Sequence, residues 1–187
     1  MGDVRSFIPG LGAMLLSMGL LSAAPALAEV QVVQLGGELP KLRGELLSGR
    51  RIVLPDSARG SGALLLLGFT YESRHDVEAW AARFRHDLGP DSKVLCFEVP
   101  MISGVARLAR PFIDGGMRRG TPLALHERVM TVYGVTGKWK QRVGFSEPDV
   151  AYLLLVDGEG RLVWRAQGPF GEESYGLLAA RIRGLLP

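Results

Sequence analysis

Few side chains in this sequence have the chemistry to make or break bonds, and their spacing restricts them further. A single cysteine, Cys96, stands among 187 residues. One thiol forms no intramolecular disulfide and no C-x-x-C pair, and it cannot build a cysteine-rich zinc or iron-sulfur site. His75 lies within one helical turn of Glu72 and Asp76, a spacing at which imidazole and carboxylate can share a transition metal. The same residues have a plainer use. Ser73 can cap the amide of Asp76 while Asp76 answers in a capping box, and Glu72 places negative charge at a helix N-terminus. Cys96 and His126 are the remaining combination of nucleophile and base. Cys96, however, sits inside the apolar run 93–99, where a thiol behaves as an inert small hydrophobe. No phosphate loop, zinc motif or GxSxG elbow occurs. Neither a cofactor nor a resident metal is expected.

Charge points to binding instead. The net charge is +3, but between residues 101 and 145 Arg107, Arg110, Arg118, Arg119, Arg128, Lys138, Lys140 and Arg142 face only Asp114 and Glu127. Such a patch suits an anionic membrane surface, an acidic protein or a nucleic acid, or it is simply solvated. Arg118 and Arg119, beside Gly115 and Gly116, offer forked donors to carboxylates or phosphates. Met101, Ile102, Phe112, Ile113 and Met117 can supply adaptable apolar surface, although the helical spacing of Met117 also suits a core position.

Residues 1–28 read as a secretory signal: Arg5, an apolar run over 8–21, and the cleavage site Ala26-Leu27-Ala28. Pro9, Gly10, Gly12, Ser17 and Gly19 break that run and argue against an uncleaved anchor. Export to the periplasm or the outer side of an envelope membrane follows, and it argues against nucleic acid. The whole sequence is 47% apolar and 22% charged, a globular composition, and residues 29–187 are expected to form one domain.

The elements that must position these residues follow from periodicity. Residues 42–55, with the turn Gly49-Arg50-Arg51, suggest a hairpin. The apolar run 63–69 is too short for a helix and reads as a central strand buried on both faces. A helix starting at Ser73 places Val77, Trp80, Phe84 and Leu88 on one stripe and ends at Gly89-Pro90. Residues 93–99 form a parallel strand, joined to the first by a right-handed crossover. A second helix near Ser103 turns Val105, Leu108, Phe112 and Met117 inward and Arg107, Pro111, Asp114 and Arg118 outward, with Pro111 kinking or dividing it. Residues 129–133 form a further strand. Asp157-Gly158-Glu159-Gly160 joins a hairpin, and a last helix from Glu172 turns Tyr175, Leu178, Ala179, Ile182 and Leu185 inward.

This order resembles the α/β thioredoxin-like fold in its peroxiredoxin and TlpA-type form, a three-layer sandwich with a central mixed sheet and helices on both faces. The residues carrying the resemblance are 52–56, the strand 64–69 running into Thr70-Tyr71, and 154–163. The resemblance implies a dithiol after that strand, yet Glu72 and His75 occupy the C-x-x-C positions, and Glu72 and Asp76 the C-x-x-x-C positions. The cis-proline of the redox family is missing near Ala151, and the copper histidine of Sco-like proteins is missing near residues 146–149. A carboxylate or imidazole cannot replace a thiolate in disulfide exchange. The expectation is therefore a redox-silent protein that is not an enzyme.

A second resemblance lies in residues 112–122, Phe-Ile-Asp-Gly-Gly-Met-Arg-Arg-Gly-Thr-Pro, followed by His126 and by 151–164 ending in Arg-x-x-Trp. This half of the chain is similar to the mitochondrial ATPase assembly-factor family, chaperones for a membrane subunit of F-type ATP synthase. The resemblance implies a non-catalytic partner-binding element at Gly116, Met117, Arg118, Arg119, Pro122 and His126, with a protein client. Thr121 departs from the aliphatic residue usual before that proline, and a secretory leader replaces mitochondrial targeting. The alternatives that remain are a divergent peroxiredoxin-like or TlpA-like thiol protein using Cys96, and an envelope metal-binding module using Glu72, His75 and Asp76.

Overall fold

Five consecutive side chains, Ala63 to Leu67, have no solvent exposure, and their strand is the centre from which the other elements are laid out. The computed structural model describes residues 32–89 and 92–185, so the leader reading of 1–28 and the helix stop at Pro90 lie outside the described residues. The strands are β1 (Leu42–Leu46), β2 (Arg51–Leu54), β3 (Gly62–Gly68), β4 (Val94–Ile102), β5 (Met130–Tyr133), β6 (Ala151–Val156) and β7 (Leu162–Gly168). The helices are α1 (Arg74–Leu88), α2 (Arg110–Gly120), α3 (Thr136–Val143) and α4 (Glu172–Arg183). The strands form one mixed sheet in the order β2-β1-β5-β4-β3-β6-β7. β3 runs parallel to β4 and antiparallel to β6, so the continuous apolar run at 63–67 does mark a central strand covered on both sides.

Alternation along the strands divides the core. Leu64, Leu66, Cys96, Leu153 and Leu155 pack under α1, through Val77, Trp80 and Phe84, and under α4, through Tyr175, Leu178 and Ile182. Leu65, Leu67, Phe97, Val99, Met130 and Val132 pack on the other side with Trp139 and Val143 of α3. The result is the expected sandwich with helices on both faces. The helix α3 itself is absent from the sequence reading, because only Trp139 and Val143 carry its apolar face and four residues between or beside them are basic or polar. Gly144, with φ of 69°, closes it in the left-handed conformation open to glycine.

Two further expectations change. Ser73 makes no side-chain cap on α1; its hydroxyl turns back to Thr70, as described below. The second helical stretch is split at Pro111, with a 3-10 segment over Gly104–Ala109 and α2 after it. Proline in the first turn starts an α-helix without losing a hydrogen bond, so it divides the stretch rather than kinking it.

The second stretch departs from the apolar-inward expectation, although Met117 is half-buried and Pro111 exposed as that expectation had them. Leu108 and Phe112 are 97% and 79% exposed, while Asp114 is 4% exposed. The cause is the surface α2 lies on. On the β1–β5 side of the sheet, Leu46, Met130 and Val132 face the core, so the intervening Glu45, Thr131 and Tyr133 turn to α2. A helix covering a polar sheet face buries its polar stripe.

Replacing Leu65 by alanine should lower the unfolding free energy by about 2–5 kcal/mol, read as a lowered urea midpoint with an unchanged slope.

Candidate functional site

The C-terminal ends of β3 and β4 open a crevice where an α/β sheet of this type binds its ligands. Its floor and walls are Gly68 at the end of β3, Thr70 and Ser73 in the loop before α1, Arg74, Val77 and Glu78 of α1, Glu98 and Pro100 from β4, Val129 before β5, and Met117 and Thr121 at the end of α2. The crevice is open to solvent and has a volume of about 90 Å³, room for the tip of one side chain.

At the start of α1 the hydroxyls are fully engaged. The Thr70 amide donates to Ser73 Oγ at 3.2 Å, the Ser73 amide donates to Thr70 Oγ1 at 3.1 Å, and Ser73 Oγ donates to the Thr70 carbonyl at 2.9 Å. Thr70 Oγ1 in turn donates to Asp149 Oδ1 at 2.8 Å, which ties the loop before β6 to α1. Ser73 has no solvent exposure, and a Cβ on Gly68 would stand 2.8 Å from its oxygen. Glycine is needed at 68 because the hydroxyl approaches that closely. The Ser73 hydroxyl hydrogen is committed to the Thr70 carbonyl, so the knot closes the strand end.

Glu72, His75 and Asp76 do not converge. His75 Nε2 is 3.9 Å from Glu72 Oε2, with both side chains more than half exposed. Among the described residues no three histidine, cysteine, aspartate or glutamate side chains are grouped to hold a metal. Burial raises the Asp76 pKa, and the nearby His75 charge opposes it.

Cys96 is 7% exposed in the cluster beneath α1 and α4, and burial pushes its thiol far above the usual range, with the Glu98 charge adding to the effect. His126 is engaged elsewhere: its Nε2 lies 3.0 Å from the Thr121 carbonyl, and since a carbonyl only accepts, Nε2 carries the proton. That bond closes the 3-10 turn Leu123–Leu125 entered through Pro122. The pairing of Cys96 with His126 has no counterpart in the structure.

The residues of the 116–126 element have distinct surroundings. Met117 is half-buried at the rim of the crevice beside Thr121. Arg118 Nε donates to the Leu47 carbonyl at 2.7 Å and its guanidinium lies 3.8 Å from Glu45; it fastens α2 to β1. Arg119 is exposed and makes no hydrogen bond or ion pair among the described residues. A Cβ on Gly116 would meet nothing. Met101, read as adaptable surface, is 3% exposed in the core because β4 extends beyond residue 99 to Ile102.

Sequence reasoning missed the network beneath α2. Arg110 bridges Glu45 at 2.8 Å and Asp114 at 3.2 Å, and the Tyr133 hydroxyl donates to Asp114 at 2.7 Å. Burial, then the bond to Asp114, raises the Tyr133 pKa well above the ordinary phenol value, so it stays a donor. The four-residue spacing of Arg110 and Asp114 was the available signal. Also missed was Glu98, 9% exposed on the crevice floor and held by Arg85 Nη1 at 2.6 Å. Leu108 and Phe112, read as core, are instead exposed, as is Leu123 shortly after α2. Covering each would gain roughly 1.5–3 kcal/mol.

The structure is similar to several solved thiol-disulfide proteins. A candidate protein disulfide isomerase from Bacteroides thetaiotaomicron superposes with a TM-score of 0.60 at 15% identity, over 83% of this chain and 91% of that one. The thioredoxin domain of a thiol-disulfide oxidoreductase from Bacteroides vulgatus superposes with a TM-score of 0.53 at 16% identity, over 80% and 99%. A member of the Sco family of cytochrome c oxidase assembly proteins gives 0.55 at 12% identity, over 82% and 96%. The chain therefore has the thioredoxin-like fold, at identities that establish the fold alone. No sequence family and no curated protein matches it, and none of these three neighbours is an ATP synthase assembly factor.

Cys96 should stay unlabelled by an aromatic disulfide reagent in the native protein and react with one equivalent on unfolding; stoichiometric labelling of the native form would return thiol chemistry to the site. Glu98 provides a pH test. Burial raises its folded pKa above the usual 4.5, with the Arg85 bond opposing. The folded state then holds the proton more tightly than the unfolded one, so this contribution is complete below the unfolded value and is lost as pH rises through the folded value. Urea midpoints across that range should show wild type losing ground relative to Glu98→Gln as pH rises.

Proposed function

We propose that this protein is a non-catalytic binding member of the thioredoxin-like fold that assists the assembly of a membrane protein complex, as the F-type ATP synthase assembly factors it resembles do. The observation that carries this reading is the knot at the start of α1. Thr70 and Ser73 lock the turn that leads into the positions where the resemblance would place a dithiol, Glu72 with His75 or Asp76, and the sole cysteine is buried in the core. The crevice beside that turn offers a recess with no dithiol in it.

A polypeptide client fits the crevice. Val77, Val129 and Met117 give it apolar walls, and Glu78, Glu98 and Arg74 give it charges of both signs. Methionine at the rim adapts to irregular side chains. Pro122 and His126 hold the neighbouring turn in place, the proline by its fixed φ and the imidazole by its bond to Thr121. The proposed client is an apolar membrane subunit, with the ATP synthase subunit as the first candidate. Its recognition makes and breaks no covalent bond.

The reading of residues 1–28 as a secretory signal supports work on the outer face of a membrane. No helix among the described residues is long and apolar enough to cross one.

A photo-crosslinking residue at Pro122, in the full chain within its native cell, tests the reading. The expected outcome is capture of a membrane subunit of F-type ATP synthase or of another membrane complex during its assembly. Catalysis of disulfide exchange or peroxide reduction by the purified protein would overturn it.

A further inference from the structure

Two surfaces of α2 behave differently. The inward one, Arg110, Asp114 and Arg118, is consumed by the polar network on β1 and β5. The opposite one carries Phe112 and, seven residues on, Arg119, and is continued by Leu108 in the preceding 3-10 segment. Leu108 and Phe112 project into solvent rather than line a groove. We infer that this outward stripe seats the protein on an anionic lipid bilayer, with Leu108 and Phe112 below the level of the headgroup phosphates and Arg119 among them.

Charge selects this occupant. The acidic side chains of the region are paired within the chain: Glu45 with Arg110, Arg118 and Arg51, Asp114 with Arg110, and Glu127 with Arg50 at the surface. Of the charged side chains of α2, Arg119 is the one left exposed and unpaired among the described residues, and two copies brought face to face would oppose guanidinium to guanidinium. A protein partner would need a concave apolar socket to match two protruding side chains. A bilayer needs no such shape, because it presents anionic headgroups directly above an apolar layer, the arrangement that apolar and basic side chains on one helix face satisfy together. The stripe is separate from the crevice of the proposed client, so each stands or falls alone.

The test uses Phe112→Cys in the full chain, labelled with an environment-sensitive dye. Cys96 is buried, so single labelling also reports that the variant is folded. Vesicles of phosphatidylcholine containing a quarter phosphatidylglycerol, with and without spin-labelled acyl chains, are then added. The expected result is a blue shift and acyl-chain quenching at position 112, and neither for a dye at Leu177→Cys, an exposed position on α4. Adding Arg119→Glu to the position-112 variant should raise the lipid concentration for half-response about tenfold or more, since each charge near the surface is worth about fivefold. The inference is overturned if the dye at 112 stays in water while the chain binds vesicles through another segment, or if pure phosphatidylcholine gives the same response. It is equally overturned if the shift appears without lipid, on adding unlabelled protein or an acidic protein.

Discussion

A strand with no exposed side chain on either face is the constraint from which this molecule follows. β3 carries Ala63, Leu65 and Leu67 to one side and Leu64 and Leu66 to the other, all at zero exposure. Both faces must then be covered, and the chain does so with α1 and α4 on one side and α3 on the other. A parallel neighbour, β4, can be reached only by a crossover, which puts α1 over the sheet with its N-terminus at the strand ends. The crevice is a consequence of that geometry. Any sequence satisfying the buried strand in this way leaves a niche at the start of α1, whether or not it fills the niche with reactive groups.

This protein fills it with hydroxyls that answer one another. The thiol that remains is inside the apolar layer, where the cost of desolvating a thiolate keeps it protonated. Its thioredoxin-like neighbours of known structure include thiol-disulfide proteins, so the fold is shared while the reactive pair is not. Fold and chemistry are separable because the sheet needs only apolar area, whereas disulfide exchange needs specific sulfur atoms.

The polar half of the sheet has the opposite effect from the apolar half. Where Glu45, Thr131 and Tyr133 turn to α2, that helix is fastened by Arg110, Asp114 and Arg118 rather than by an apolar face. Buried polar groups are tolerated when each has its partner, and here no buried side-chain nitrogen or oxygen among the described residues lacks one. The helix is held, and its apolar residues are left outside. Binding surface in this molecule is the complement of an internal polar network.

Much of the framework was legible from local pattern. The apolar run at 63–67, the stripe Val77, Trp80 and Phe84, the hairpin around residues 157–160 and the inward face of α4 each follow from a period that burial against an apolar layer enforces. So was the loss of a dithiol, since a single cysteine cannot pair with itself. What the sequence could not decide was direction. For α2 the same period fits two orientations, and the usual rule, apolar side inward, chose the wrong one because the surface beneath is composed of residues some 65 positions earlier and 19 later. Likewise Ser73 had two partners within reach, and only the close approach of Gly68 and the loop at Asp149 directed its hydroxyl to Thr70. Period is a property of neighbours along the chain, but orientation is set by what lies across the interface, and that is known only when distant segments have come together.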